Sequence, residues 1–184
     1  EPFGGQVLHL GVAHTTRLTA LFAFGGLLGF AYASRILAKG TNPHRISLLG
    51  AALGIPGFAL ILIAAPIGAH WPFQLGNVVI GFGGALFGHG TLTVAMNRAP
   101  KAQVGLAIGA WGAVQATAAG LATGASGALR DLVQATVGGS NLAVGYNTVY
   151  ALEMMLLVVT IFAIAPLLRG RDSAAAGIAK AHAH

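Results

Sequence analysis

Residues 102–128 have the sequence AQVGLAIGAWGAVQATAAGLATGASGA, which contains no charged side chain. The stretch can cross a bilayer as one helix, because about 20 apolar residues suffice. Small residues recur along it at four-residue spacing, so one helix face carries almost no side chain, and such faces let two helix backbones approach closely in lipid. We therefore predict a transmembrane helix over residues 103–128 that lies inside a helix bundle. The glycines assigned to its packing are Gly105, Gly109, Gly112, Gly120 and Gly124.

The composition of the whole chain indicates a membrane protein. Of its 184 residues, 55% are hydrophobic and 8% are charged, whereas a soluble domain has about 25% charged residues. The net charge of +6 comes from basic residues at the ends of apolar stretches, so no nucleic-acid partner is expected. The chain has no cysteine, which excludes disulfides, thiolate metal sites and c-type haem attachment. It opens with EPFGG and no initiator Met, so we expect a segment of a longer protein or the product of a split gene.

Four further apolar stretches predict membrane spans like the first one. They cover residues 12–37, 46–68, 72–97 and 148–168. Within them, Gly25 with Gly29, Gly50 with Gly54, and Gly84 with Gly88 form further small-residue pairs for close packing. The predicted fold class is therefore all-α: a polytopic bundle of about five transmembrane helices over residues 1–168. Residues 129–147 form the longest connector, and residues 169–184 form a tail.

The basic residues predict the orientation of the chain. Five spans alternate sides, and eight of the ten Lys and Arg residues then fall on one side. These eight are Arg35, Lys39, Arg45, Arg98, Lys101, Arg169, Arg171 and Lys180. Because short loops rich in Lys and Arg stay in the cytoplasm, we expect the C-terminal tail to be cytoplasmic.

Several motifs resemble the PucC/LhaA family of light-harvesting complex assembly proteins. They are GAWGAVQATAAG at 109–120, LTVAMNRAP at 92–100, the opening EPFGG at 1–5 and TTRLTALFA at 15–23. The resemblance covers nearly the whole chain but only the carboxyl-terminal half of the family. It implies the bacteriochlorophyll-delivery branch of the major facilitator superfamily, with the five spans as helices 8–12 of twelve.

The resemblance also implies a function. It predicts an integral-membrane assembly factor in the bacterial inner (intracytoplasmic photosynthetic) membrane, which binds or delivers bacteriochlorophyll and docks light-harvesting helices. Its expected partners are light-harvesting α/β polypeptides or a reaction-centre–light-harvesting complex, and membrane lipid. The exposed face of a half-length bundle also requires the missing N-terminal half or another partner that supplies helices. Without such a partner we expect the chain to be unstable or to self-associate.

Two other functions stay open. One is an accessory structural subunit of a photosynthetic light-harvesting/reaction-centre complex, which the half length suggests. The other is a secondary transporter of the major-facilitator type. Against transport, Ser34 stands where the superfamily's loop motif usually carries an acid, beside Arg35.

His89 is the sharpest candidate for a cofactor site, because it lies in the sequence GHG near the middle of a span. A neutral imidazole is a natural axial ligand for a metal, including the magnesium of a chlorophyll. The two glycines are expected to leave space beside the ring. The alternative is a hydrogen bond from His89 to a Ser, Thr or carbonyl of a neighbouring helix.

Three other polar residues lie inside spans. Gln115 and Asn77 are candidates for contacting a tetrapyrrole's carbonyl groups, or for bonding between helices. Glu153, the only carboxylate within a span, is a possible coupling group for protons or cations. Its structural alternative is a pairing with Arg17 or with a hydroxyl group.

The sequence contains no catalytic pattern. It lacks a Ser-His-Asp arrangement, paired carboxylates and a phosphate-binding loop followed by Lys and Ser or Thr. We therefore expect a protein that binds and positions other molecules and is not an enzyme.

Overall fold

A computed structural model shows the protein as a bundle of helices. It describes residues 2–8, 10–139 and 141–181, of which residues 169–181 are described by their backbone alone. The α-helices are α1 (Pro2–Gln6), α2 (Val12–Ala38), α3 (Pro43–Ala64), α4 (His70–Arg98), α5 (Val104–Val133) and α6 (Ala143–Ala181). A 3₁₀ turn at Lys101–Gln103 precedes α5, and a π turn at Gln134–Gly138 follows it.

The predicted fold class is confirmed. Five helices, α2 to α6, are long and apolar enough to cross a membrane, and the described residues contain no strand. The protein is therefore a multi-pass membrane protein. The remaining α-helix, α1, has only five residues.

The first turn between spans has a clear local cause. After α2, Gly40 adopts φ +84°, a left-handed conformation that glycine accepts without steric cost. Asn42 then caps α3, since its side-chain oxygen accepts a hydrogen bond from the His44 backbone N–H at 3.0 Å. Pro43 follows at the first helical position, where its fixed φ suits a helix and its missing N–H costs nothing.

Helix α4 is the centre of the bundle, with α2 and α3 packed along it. A Cβ atom added at Gly29 would lie 2.5 Å from the Phe82 carbonyl oxygen of α4. One added at Gly25 would overlap the Val78 carbonyl oxygen. The backbones of α2 and α4 therefore touch, which confirms the predicted close-packing pair of α2.

The contact between α3 and α4 is equally tight. A Cβ atom at Gly50 would lie 2.5 Å from the Gly83 carbonyl oxygen, and one at Gly83 would lie 2.7 Å from the Gly50 carbonyl oxygen. Gly54, the second member of the predicted pair, instead faces Leu157 of α6. Glycine thus brings α3 against two different helices.

Helix α5 lies at the edge of the described helices, and its predicted place inside the bundle was wrong for the packing within this chain. No residue of α5 is buried. A Cβ atom added at its packing glycines would meet no heavy atom within 4 Å; these are Gly105, Gly109, Gly112, Gly120 and Gly124. The same holds for Gly84 of α4, and Gly88 meets only the Trp111 ring, at 4.0 Å. Small-residue spacing is present on several helices, but of the predicted pairs only Gly25 with Gly29 of α2 and Gly50 of α3 have a partner backbone against them.

The N-terminal segment is part of the hydrophobic core. Phe3 of α1 is fully buried, and its ring lies 5.4 Å from that of Phe73 and 5.5 Å from those of Tyr146 and Tyr150. This cluster joins the first residues of the chain to α4 and α6. The first span predicted from the sequence begins only at residue 12, so this contact was not predicted.

The predicted connector at 129–147 is mostly helical. Helix α5 continues to Val133 and the π turn reaches Gly138, so only residues 139–142 separate it from α6. The 30 residues of α5 span about 45 Å, more than the roughly 30 Å of a bilayer's hydrocarbon core. The C-terminal end of α5 therefore extends into the interfacial layer or beyond.

Candidate functional site

His89 lies on the side of α4 that faces α2. The Phe30 ring of α2 stands almost perpendicular to the imidazole, with 5.3 Å between the ring centroids. The imidazole Nδ1 is buried and has no hydrogen-bond partner among the described residues. The expected hydrogen bond to a neighbouring helix is therefore not seen at this nitrogen.

Only one of the two glycines beside His89 leaves open space. A Cβ atom at Gly90 would lie 2.8 Å from the Pro43 carbonyl oxygen of α3 and would overlap the Ser47 side chain. A Cβ atom at Gly88 would meet only the Trp111 ring of α5, at 4.0 Å. Gly90 therefore serves packing between helices, and the side toward α2 is where the imidazole meets the Phe30 ring.

The donor chemistry at His89 fits a chlorophyll-type ligand. A buried, unpartnered polar atom costs about 1–3 kcal/mol, and such atoms are few in native proteins. The buried Nδ1 leaves Nε2 as the ring nitrogen that a large ligand would reach. In such a complex His89 would provide a nitrogen ligand to the magnesium, beside the Phe30 ring.

Asn77 does not join His89 in one site. The Asn77 amide donates to the Phe73 carbonyl oxygen of its own helix at 2.8 Å, so the bond between helices expected for Asn77 is not formed there. Asn77 and His89 are also separated by about 18 Å along α4, at 1.5 Å per residue. Gln115 is partly buried on α5.

The polar contact between α4 and α5 involves residues that sequence reasoning did not assign. The Trp111 indole N–H donates to the Thr91 hydroxyl oxygen at 3.2 Å. The Thr91 hydroxyl in turn donates to the Phe87 carbonyl oxygen at 2.9 Å. The regular spacing of small residues around Trp111 gave no signal for this pair.

A crevice of about 260 Å³ lies between α3, α4 and α6. Its floor is formed by glycine, and aromatic rings stand at its sides, so its surface is apolar. The residues that line it include Gly50, Gly54, Gly83, Gly84, Phe58 and Phe87. Gly84 thus borders an open apolar crevice and does not pack against a helix.

Polar side chains form a network where α5 and α6 meet α1. The Arg130 guanidinium bonds to the Asp131 carboxylate and donates to the Tyr146 hydroxyl oxygen at 2.8 Å. The Tyr146 hydroxyl donates to the Gln6 side-chain oxygen at 2.7 Å. Three segments far apart in sequence are held together in this way, and only the tertiary structure reveals it.

Glu153 lines a cleft between α5 and α6, next to this network. The cleft has a volume of about 270 Å³, and Thr123, Ser126 and Tyr150 also border it. The Glu153 side chain is partly buried. Among the described residues it forms no ion pair with Arg17, because the one ion pair resolved there joins Arg130 to Asp131. Glu153 is therefore not held by the cation considered as its structural partner.

The described residues contain no group of three or more His, Cys, Asp or Glu side chains that could hold a metal ion. A metal ion bound at His89 would therefore need its other ligands from outside these residues, as a macrocycle would supply them.

Comparisons with known proteins identify the family. The model of the family described as PUCC protein matches residues 1–172. The chain belongs to this family. It is 56% identical over 171 residues to protein PucC of Cereibacter sphaeroides, and 49% identical over 173 residues to protein PucC of Rhodobacter capsulatus. It is also 44% identical over 175 residues to an uncharacterised protein of Rhodobacter capsulatus from the puhA-bchM intergenic region.

Each of these alignments covers 92% of this chain and 37% of the relative. The chain therefore spans little more than a third of the length of these relatives. No solved structure matches it, so the placement of the five spans as helices 8–12 of a major facilitator fold stays a prediction.

Proposed function

We propose that this chain is part of an integral-membrane assembly factor for bacterial light-harvesting complexes, located in the photosynthetic membrane. The observation that carries the proposal is its membership of the PucC family over residues 1–172. The spans support it, because the five apolar helices form a membrane scaffold. The proposed role is to bind and position other molecules, without a reaction catalysed by the chain.

His89 is the proposed contact to bacteriochlorophyll. The support is the partly buried imidazole inside a membrane span, with the Phe30 ring nearly perpendicular to it. When bound, bacteriochlorophyll would supply a magnesium ion that a neutral imidazole can ligate. The chain would supply the nitrogen and keep water away from it.

The exposed face of α5 is the proposed docking surface for helices that lie outside this chain. No residue of α5 is buried, and the five glycines on it have no neighbour within 4 Å. A face of this kind admits another backbone closely. The candidates are the rest of the assembly factor and the single helices of light-harvesting polypeptides.

The test of the pigment site uses the whole protein, isolated gently from a phototrophic membrane. We expect His89→Phe to lose most of the bacteriochlorophyll that co-purifies, with the protein still present in the membrane. The matched control is His70→Phe, which changes an exposed histidine at the start of the same helix. Full bacteriochlorophyll content in the His89→Phe protein would contradict the assignment. Light-harvesting polypeptides bound at a fixed stoichiometry in mature complexes would favour a structural subunit over an assembly factor.

Glu153 supports a second candidate function, secondary transport. It lies in a cleft of about 270 Å³ and forms no ion pair with Arg17. A carboxylate that couples protons or cations to transport is expected to be unpaired in this way. Against this function, Ser34 has no acidic neighbour in the α2–α3 loop, and its hydroxyl donates to the Ala31 carbonyl oxygen of its own helix at 3.0 Å. Substrate uptake that is abolished by Glu153→Gln would establish transport, and unchanged growth and pigment content in that variant would count against it.

A further inference from the structure

A polar cleft opens between the first turn of α3 and the last turn of α4. It has a volume of about 290 Å³ and is lined by Pro43, His44, Val94, Asn97 and Arg98. A guanidinium, a carboxamide and an imidazole thus meet in one depression, with an aliphatic side chain as one wall. It differs in this from the apolar crevice between α3, α4 and α6.

The end of the bundle around this cleft is basic. It carries the residues Arg35, Lys39, Arg45, Arg98 and Lys101. Residues 2–130, which include all of α1 to α4 and most of α5, contain no Asp or Glu. An anion that binds the Arg98 guanidinium would therefore come from outside residues 2–130.

The position of the cleft indicates where that anion comes from. The span of α3 begins at Pro43, and the span of α4 ends at Arg98. The cleft therefore lies where two spans leave the hydrocarbon layer. Phosphate groups of lipids are present at that depth, and basic pockets between transmembrane helices bind anionic head groups. Val94 lies one turn deeper than Arg98, where the glycerol and upper acyl region of a lipid would be.

We propose that this cleft binds the phosphate group of an anionic phospholipid. Arg98 provides the charge-assisted hydrogen bonds to the phosphate oxygens, since a guanidinium matches phosphate geometry. The Asn97 amide provides a neutral donor beside it. The bound lipid would hold the basic ends of α3 and α4 together.

The experiment measures lipid retained by the whole protein in membrane nanodiscs. Discs are prepared from phosphatidylcholine with or without phosphatidylglycerol, and native mass spectrometry counts the lipids that stay bound after release from the disc. We expect the protein to retain phosphatidylglycerol selectively. In Arg98→Gln this retention is expected to be about tenfold weaker, the effect of losing one charge-assisted hydrogen bond.

Arg35→Gln is the matched control, because it removes an exposed arginine from the same end of the bundle, in the last turn of α2. Equal retention of phosphatidylglycerol by the two variants would overturn the proposal. If Arg98→Gln is not recovered in folded form, Asn97→Ala and Arg98→Lys replace it, with weakened retention expected for the first and partial retention for the second. Loss of phosphatidylglycerol when millimolar inorganic phosphate is added would show that the cleft takes a free anion, and would refute the lipid assignment.

Discussion

Replacing Gly50 by alanine tests the packing that organises the bundle. The new methyl carbon would lie 2.5 Å from the Gly83 carbonyl oxygen and 2.6 Å from the Phe87 backbone nitrogen, whereas ordinary contact begins at 3.4 Å. Both obstacles are backbone atoms, so no rotamer change relieves the overlap. The helices α3 and α4 would have to separate by roughly 0.9 Å at this point, and a gap of that size removes about a quarter to a half of each dispersion contact across it.

The expected cost follows from two opposing effects. Overpacking of this kind costs about 1–3 kcal/mol, and the higher helix propensity of alanine returns up to about 1 kcal/mol. We therefore expect Gly50→Ala to lose about 1–2 kcal/mol of stability. The assay is the fraction of the whole protein that stays monodisperse in detergent after heating, followed as a function of temperature.

Gly84→Ala is the matched control for this experiment. It also adds one methyl group to a glycine in a membrane helix, but no heavy atom lies within 4 Å of the new carbon. We expect its midpoint to equal or exceed that of the wild type. A Gly50→Ala protein as heat-resistant as Gly84→Ala would refute the close contact of α3 with α4.

Two further predictions concern polar contacts between helices. Trp111→Phe should weaken the packing of α5 on α4 by about 0.5–1.5 kcal/mol, because the indole N–H no longer donates to Thr91. In the same heating assay, a double-mutant cycle with Thr91→Val should show that the two losses of stability are coupled. Additive losses would contradict the hydrogen bond. Tyr146→Phe should weaken the attachment of α1, because the Tyr146 hydroxyl bonds to Gln6. The amide hydrogen exchange of residues 2–8 should then be faster than in the wild type. An unchanged exchange rate would show that aromatic packing alone holds the segment. In a third prediction, this chain expressed without further helices should self-associate in detergent through the exposed face of α5, and a stable monomer in size-exclusion chromatography with light scattering would contradict it.

The fold class could be predicted from the sequence because membrane spans depend on local composition. Twenty or more apolar residues flanked by basic loops specify a spanning helix whatever lies beside it. Caps are local too, as the Asn42–Pro43 pair at the start of α3 shows. The position of α5 at the edge of the described helices could not be predicted, because close-packing glycines have the same spacing whether or not a partner helix belongs to the same chain.

The candidate site at His89 stays a prediction. His89 stood out because an ionisable group inside a span is costly and rare, and its unpartnered Nδ1 agrees with that emphasis. Asn77 was misjudged because a helical side chain can bond to its own preceding turn, which sequence spacing does not reveal. The link from Arg130 through Tyr146 to Gln6 joins residues from both ends of the chain, and no local pattern signals such a contact.

The central place of α4 has a consequence for how the chain is built in the membrane. Helices α2, α3 and α4 follow one another without a long connection, and the α2–α4 and α3–α4 contacts are complete once Arg98 has been synthesised. Since segments fold from the N-terminus during synthesis, these three spans can settle against each other while α5 and α6 are still being made. Helix α6 then arrives at a finished surface on α3, and it closes the aromatic cluster around Phe3 as the last step. A ribosome stalled between α4 and α5 would therefore hold a compact three-helix unit, in which Phe3 does not yet contact Tyr146 and Tyr150 of α6.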